Sequence, residues 1–132
     1  MQIVAHGIDL VDCKRIEDML ERHEMRFLKR IYTPAEQHYS GQGKHRIERL
    51  AARFAAKEAV LKLIGTGWRG KIAWTDIEVI HTPLGQPRVN LTGAARTRAE
   101  QLGIQCVSIS LTHTADLAIA SVVALGQSDE DE

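Results

Sequence analysis

A chain of 132 residues that is 44% hydrophobic but only 5% aromatic can bury one modest, aliphatic and alanine-rich core, and it offers few rings for stacking on bases. Basic and acidic residues balance at 17 each, which removes global charge as an argument for nucleic acid binding. Two distant cysteines, Cys13 and Cys106, make neither a disulfide framework nor a zinc motif, and no stretch reads as a membrane span or a signal peptide, so a cytoplasmic protein with no nucleic acid or membrane partner is expected.

Ile3 to Val11 is apolar and partly β-branched, which predicts a buried strand. Asp12 follows as a helix N-cap, with Ile16, Met19 and Leu20 at helical spacing, and Glu24 to Ile31 reads as a further helical piece. Thr33-Pro34-Ala35-Glu36 carries a cap, a proline at the first helical position and a capping-box glutamate. The longest helix is predicted from Gly43 to Ile64, with Ile47, Leu50, Ala51, Phe54, Leu61 and Ile64 on its apolar stripe and Gly65 as a left-handed C-cap. Asp76 to His81 and Arg88 to Leu91 read as a hairpin around Pro83-Leu84-Gly85-Gln86-Pro87. Thr92 is expected to cap a short helix ending at Gly103, and Cys106 to Thr112 and Leu117 to Leu125 form a second hairpin through His113 to Asp116. The fold class is therefore α+β: a mostly antiparallel sheet packed on one long helix, with shorter helices. Residues 1–125 make a single domain, and 126–132 an acidic tail expected to be disordered.

Several residues break these patterns. Lys57 and Glu58 stand where the stripe of the long helix should continue, and two charges there need a partner or a route to water. Asp9 interrupts the first strand and should point away from Ile8 and Leu10; it suits an edge acid, an early cap, or half of a hard-cation site with Glu58. Arg46, Arg49, Arg53 and Lys57 share one helix face, either a solvated ridge or a seat for a polyanion. Arg15, Met19, Arg22, Arg26, Phe27 and Arg30 are either core and solvating residues or a basic docking face for an acidic protein. His113 is a turn residue or a phosphate contact. No P-loop, G-x-G-x-x-G or G-x-S-x-G pattern occurs.

Three motifs, in order, resemble those of the bacterial holo-acyl-carrier-protein synthases, the short trimeric 4'-phosphopantetheinyl transferases. They are Gly7-Ile8-Asp9-Leu10-Val11 with Arg15-Ile16-Glu17; Arg53-Phe54-Ala55-Ala56-Lys57-Glu58-Ala59 running through Lys62 to Gly65-Thr66-Gly67; and Ser108-Ile109-Ser110-Leu111-Thr112-His113-Thr114. Gly85-Gln86-Pro87 matches their Gly-x-Pro turn. The resemblance implies transfer of 4'-phosphopantetheine from coenzyme A to a serine of an acyl carrier protein. It implies magnesium held by Asp9 and Glu58, with Lys62 on the transferred phosphate and Asp9, Glu58 and Lys62 as the catalytic set. Lys44, Arg53, Lys57 and His113 would bind the other phosphates, and the loops holding Gly65, Gly67, Gly85 and Pro87 would flank the adenosine. Arg15, Met19, Arg22, Arg26, Phe27 and Arg30 would receive the carrier, and a homotrimer would complete each site at a subunit interface. Two other functions use the same residues: a metal-dependent hydrolase of coenzyme A or nucleotides, and a carrier-binding module without activity.

Overall fold

The computed structural model describes residues 1–65 and 69–127. The elements are β1 (Gln2–Asp12), α1 (Cys13–Ile31), α2 (Pro34–Ser40), α3 (Arg46–Ile64), a 3-10 turn (Trp74–Asp76), β2 (Ile77–His81), β3 (Pro87–Leu91), α4 (Gly93–Gln101), β4 (Ile104–His113) and β5 (Leu117–Gly126). The α+β class holds, with every strand pair antiparallel. The single expected sheet is instead two: β5 lies between β1 and β4, while β2 and β3 form a separate hairpin. The long helix is also not alone in its length, since α1 and α3 have 19 residues each. Among the described residues no helix is long and apolar enough to cross a membrane.

The α3 helix is the axis of the molecule. An amphipathic stripe was expected, but every residue from Leu50 to Lys57 is buried, because the sheet packs on one side and α1, α2 and β2 on the others. Alanines make this enclosure possible: Ala51, Ala52, Ala55, Ala56 and Ala59 of α3 share one buried core with Ala118, Ala120 and Ala124 of β5. β1 comes close to α3 at Gly7, where an added Cβ would lie 2.6 Å from the Ala59 carbonyl oxygen. Glycine in β1 therefore lets strand and helix backbones touch two residues before Asp9 and one after Glu58.

Local signals set most boundaries. Asp12 caps α1 by accepting the Lys14 amide at 2.9 Å, and α1 breaks at His23 (φ −143°), so the two helical pieces read from the sequence are joined by a kink. Thr33 and Glu36 complete the capping box. Three expectations fail. The α3 helix starts at Arg46 and not at Gly43. Gly65 is right-handed (φ −80°, ψ −18°), because its N–H still donates to the Leu61 carbonyl at 2.7 Å and the helical pattern runs through it; Arg98 of α4 takes the Ile64 carbonyl at 2.9 Å. Thr92 makes no side-chain cap, its hydroxyl turning to the Asp76 carbonyl. The expected acidic tail falls largely on residues 128–132, outside the described residues, and β5 itself extends to Gly126.

The three-stranded sheet is covered on one face only. Gly7, Asp9 and Val11 turn toward α3, whereas Ile3, Ile8 and Leu10 point the other way at 63%, 62% and 55% exposure. Their partners in the register, Leu125, Ser121 and Ile119, continue that outward face across β5.

Candidate active site

Asp9 on β1 and Glu58 on α3 meet where Gly7 lets the two elements close. The Asp9 side chain is 9% exposed, and its Oδ1 accepts from Lys62 Nζ at 2.6 Å, while Oδ2 is buried without a hydrogen-bond partner in the chain. Arg15 lies 3.7 Å from Glu58 Oε1 and stacks its guanidinium 5.1 Å over the Phe54 ring. Burial pushes the Glu58 carboxyl above its ordinary value, the neighbouring Asp9 carboxylate pushes it the same way, and Arg15 and Lys62 oppose them. The hydrogen bond to Asp9 raises the Lys62 ammonium, keeping it charged.

Two close carboxylates, one with an unsatisfied buried oxygen, fit a hard divalent cation such as magnesium, which takes one or two carboxylates and fills its shell with water and phosphate oxygens. Among the described residues no group of three or more His, Cys, Asp or Glu side chains gathers to hold a metal, so this pair depends on oxygen from substrate or water.

Lys57 is not available to a phosphate in this structure. It is fully buried, 2.7 Å from Glu36 Oε1, and also donates to the carbonyls of Trp74 (3.2 Å) and Ile77. An ammonium has three protons, and all three are used. Burial pulls its pKa down while Glu36 holds it up. Glu36 in turn accepts the amides of Thr33 (3.0 Å) and Val79 (2.9 Å), so one buried pair ties α2, α3 and β2 together. The sequence shows Glu36 as a capping residue; nothing in the spacing points to Lys57 as its partner 21 positions on.

Arg53 is 2% exposed. Its guanidinium lies 4.2 Å over the Tyr39 ring and 3.0 Å from His81 Nδ1, donates to the Arg49 carbonyl at 3.3 Å, and leaves Nε without a partner. His81 opposes Pro87 in the β2–β3 ladder, so Arg53 adjoins the turn carrying Gly85 (φ 86°) and Pro87. Lys44 is exposed in the loop before α3. His113, at the end of β4, is half-exposed and joins the first turn of α3 through Glu48 at 3.5 Å. Gly65 is placed at the end of α3, and Gly67 lies outside the described residues. Apart from the buried Lys57, the expected phosphate ligands thus occupy three places on the chain: beside Asp9, beside the Gly85–Pro87 turn, and at the start of α3.

The expected docking residues divide differently. Phe27 is core, edge-on to Tyr32 at 5.7 Å. It nevertheless forms the floor of a groove of about 370 Å³ walled by Arg15, Met19, Arg26, Arg30 and Trp74. Met19 is 37% exposed there, while Arg22 is exposed but off the groove. Arg15 alone belongs to both groove and acidic pair, so the two are adjacent.

The model of the 4'-phosphopantetheinyl transferase superfamily matches residues 5–120. A holo-[acyl-carrier-protein] synthase of Solibacter usitatus is 47% identical over 121 residues, spanning 92% of this chain and 97% of its own. The crystal structure of the holo-[acyl-carrier-protein] synthase from Neisseria meningitidis has a TM-score of 0.81 at 38% identity, covering 94% of this chain and 99% of that one. The Helicobacter pylori holo-[acyl-carrier-protein] synthase in complex with coenzyme A has a TM-score of 0.78 at 32% identity, covering 91% and 99%.

Proposed function

The chain belongs to the 4'-phosphopantetheinyl transferase superfamily, and from that premise we propose how its own residues divide the work. The reaction is that of a holo-acyl-carrier-protein synthase: 4'-phosphopantetheine passes from coenzyme A to a serine of an apo acyl carrier protein. The serine oxygen forms a bond to the phosphorus bearing pantetheine, and the bond from that phosphorus to adenosine 3',5'-bisphosphate breaks.

Asp9 and Glu58 would hold magnesium, and the unsatisfied buried Asp9 Oδ2 beside Glu58, whose carboxyl is pushed above its ordinary value by burial and by Asp9, is the observation that carries this reading. The ion, when bound, supplies charge neutralisation and orientation for the pyrophosphate. Lys62 lies mostly in solvent beside Asp9 and balances charge on the transferred phosphoryl oxygens. Glu58 accepts the serine proton, a role its raised affinity for protons suits. Arg53 and Lys44 take the remaining phosphates, with the Gly85–Pro87 turn against the adenosine. Incubating an apo carrier with the chain, coenzyme A and magnesium should add one phosphopantetheine by intact mass, and EDTA should abolish the gain. Consumption of coenzyme A without a gain would instead indicate a hydrolase; binding of carrier with neither would indicate a module without activity.

The basic groove takes the acidic carrier. Its depth beside Met19 and its rim of Arg26 and Arg30 supply an apolar anchor and steering charge. Charge reversal at Arg26 should raise the KM for carrier about tenfold, more at low salt, with kcat kept; an unchanged KM would place the carrier elsewhere.

A homotrimer with interfacial sites accounts for two features of one subunit. The outward face of the β1–β5–β4 sheet exposes Ile3, Ile8 and Leu10, and the phosphate ligands are scattered until His113 and the α3 start come from a neighbour. Ile8→Glu should yield monomers by analytical ultracentrifugation and lose activity with assembly; an active monomer would refute the shared site. We place the reaction in the cytoplasm, where the unpaired Cys13 and Cys106 stay reduced.

A further inference from the structure

Tyr39, His81 and Arg53 come from α2, β2 and α3 and form a stack whose geometry is closely constrained. The Tyr39 and His81 rings are parallel within 7° at 4.3 Å, and the Arg53 guanidinium is 4.2 Å over the same Tyr39 ring. Arg53 also comes within 3.0 Å of His81 Nδ1. If Arg53 and His81 were on opposite faces of Tyr39, they would be too far apart for that contact. They therefore lie side by side on one face, hydrogen-bonded edge to edge, with the half-exposed phenol ring laid over both.

This arrangement fixes one edge of the guanidinium and leaves another available. The Arg49 carbonyl and His81 take two of its five N–H groups, and Nε–H, though buried, has no partner in the chain. A buried donor left so calls for a ligand, and a phosphate approaching the guanidinium in its plane is the natural one. Pro87, across the ladder from His81, brings the Gly85–Pro87 turn alongside. We propose that Tyr39 and His81 are positioning residues that hold Arg53 edge-on to a phosphate of coenzyme A; this rests on the reading of Arg53 as a phosphate ligand.

An arginine can only donate, so Nδ1 of His81 must accept and the imidazole must be neutral. Protonated, it would turn an N–H toward Arg53 and the edge contact would be lost. Around His81, α3 presents the Arg53 cation, α2 the Tyr39 phenol and β3 the uncharged Pro87, while Glu36 and Lys57 are paired with each other. Burial, then the Arg53 charge, lowers the His81 pKa, so the contact survives at neutrality and fails only on the acid side of 6.5.

The test measures kcat and KM for coenzyme A at saturating carrier and magnesium across pH about 5 to 8, using the full chain. Arg53→Ala should raise KM about tenfold or more at every pH. In the unsubstituted chain KM should climb several-fold as pH falls below the histidine range, beyond any rise shared by all variants. His81→Asn, which keeps an acceptor that does not titrate, should remove that extra climb. His81→Phe, which keeps the stack and loses the acceptor, should raise KM about tenfold throughout, with kcat unchanged in both. Were Arg53→Ala to raise KM while both His81 variants tracked the unsubstituted chain, the positioning role would be overturned and the Arg53 reading would stand. An unchanged KM in Arg53→Ala overturns that reading and this inference together. Should His81→Phe fail to fold, the pH profile of His81→Asn decides.

Discussion

Glu58→Gln should lower carrier modification by about three orders of magnitude while leaving the fold intact, measured as the initial rate of holo-carrier formation by intact mass. The substitution keeps shape and one acceptor oxygen but removes both the second anionic oxygen for the cation and the acceptor for the serine proton. Asp9→Asn should lose a comparable factor, because the amide keeps an oxygen for Lys62 at 2.6 Å but removes the negative charge that both the ammonium and the cation need. Full turnover in Glu58→Gln would refute both roles assigned to it.

The same variant carries an opposite signature in stability. Glu58 binds its proton more tightly in the folded chain than in the unfolded one, so ionising it opposes folding. That penalty is present above the folded pKa and is relieved as pH falls through it. Glu58→Gln removes it, so in EDTA the variant should melt above the unsubstituted chain. Magnesium should then reverse the order, because an ion binding only the folded state stabilises in proportion to its occupancy, and the variant has lost the site. Differential scanning fluorimetry with and without magnesium separates these cases. An inactive variant that responds normally to magnesium would leave Glu58 as a base alone.

How far this could be read in advance depended on whether a residue's signal was local. Asp12, Thr33 and Glu36 announce helix starts through bonds reaching two or three residues, and each was legible. Asp9 was legible for another reason: a charge between Ile8 and Leu10 in a strand can only face opposite to them, and it does. What the alternation could not say was which face was the core. Asp9 points inward and the two apolar residues outward, a reversal that makes sense once a second surface covers them. The α3 stripe misled because a helix enclosed along Leu50 to Lys57 has no stripe there; Arg53 and Lys57 are interior, Lys57 satisfied by Glu36 and the Trp74 and Ile77 carbonyls, Arg53 meeting Tyr39 and His81 with its Nε left over. The partners Glu36–Lys57, Tyr39–Arg53 and Arg53–His81 span 14 to 28 positions, too long for helical or strand periodicity to register.

Lys57 is where the inherited motif and the geometry give different results, and one substitution separates them. Lys57→Met should leave Glu36 ionised in the core, facing only the Thr33 and Val79 amides. Breaking a buried pair on one side costs about 3–5 kcal/mol, which in a chain of this size lowers the melting temperature by roughly 10 °C or more. Glu36→Gln strands the ammonium instead and should be similarly damaging. The double variant Glu36→Gln/Lys57→Met should be more stable than either single one, since it leaves neither a lone carboxylate nor a lone ammonium in the core and the amide oxygen still accepts one of the Thr33 and Val79 amides. Below its melting point Lys57→Met should keep its KM for coenzyme A, because the ammonium it loses touches Glu36 and two carbonyls and no solvent. Were Lys57 a phosphate ligand, the pattern would invert: KM would rise severalfold, the melting temperature would hardly move, and Glu36→Gln would not rescue it. Thermal unfolding and coenzyme A kinetics on the same three variants therefore decide whether this lysine of the motif serves the cofactor or the core.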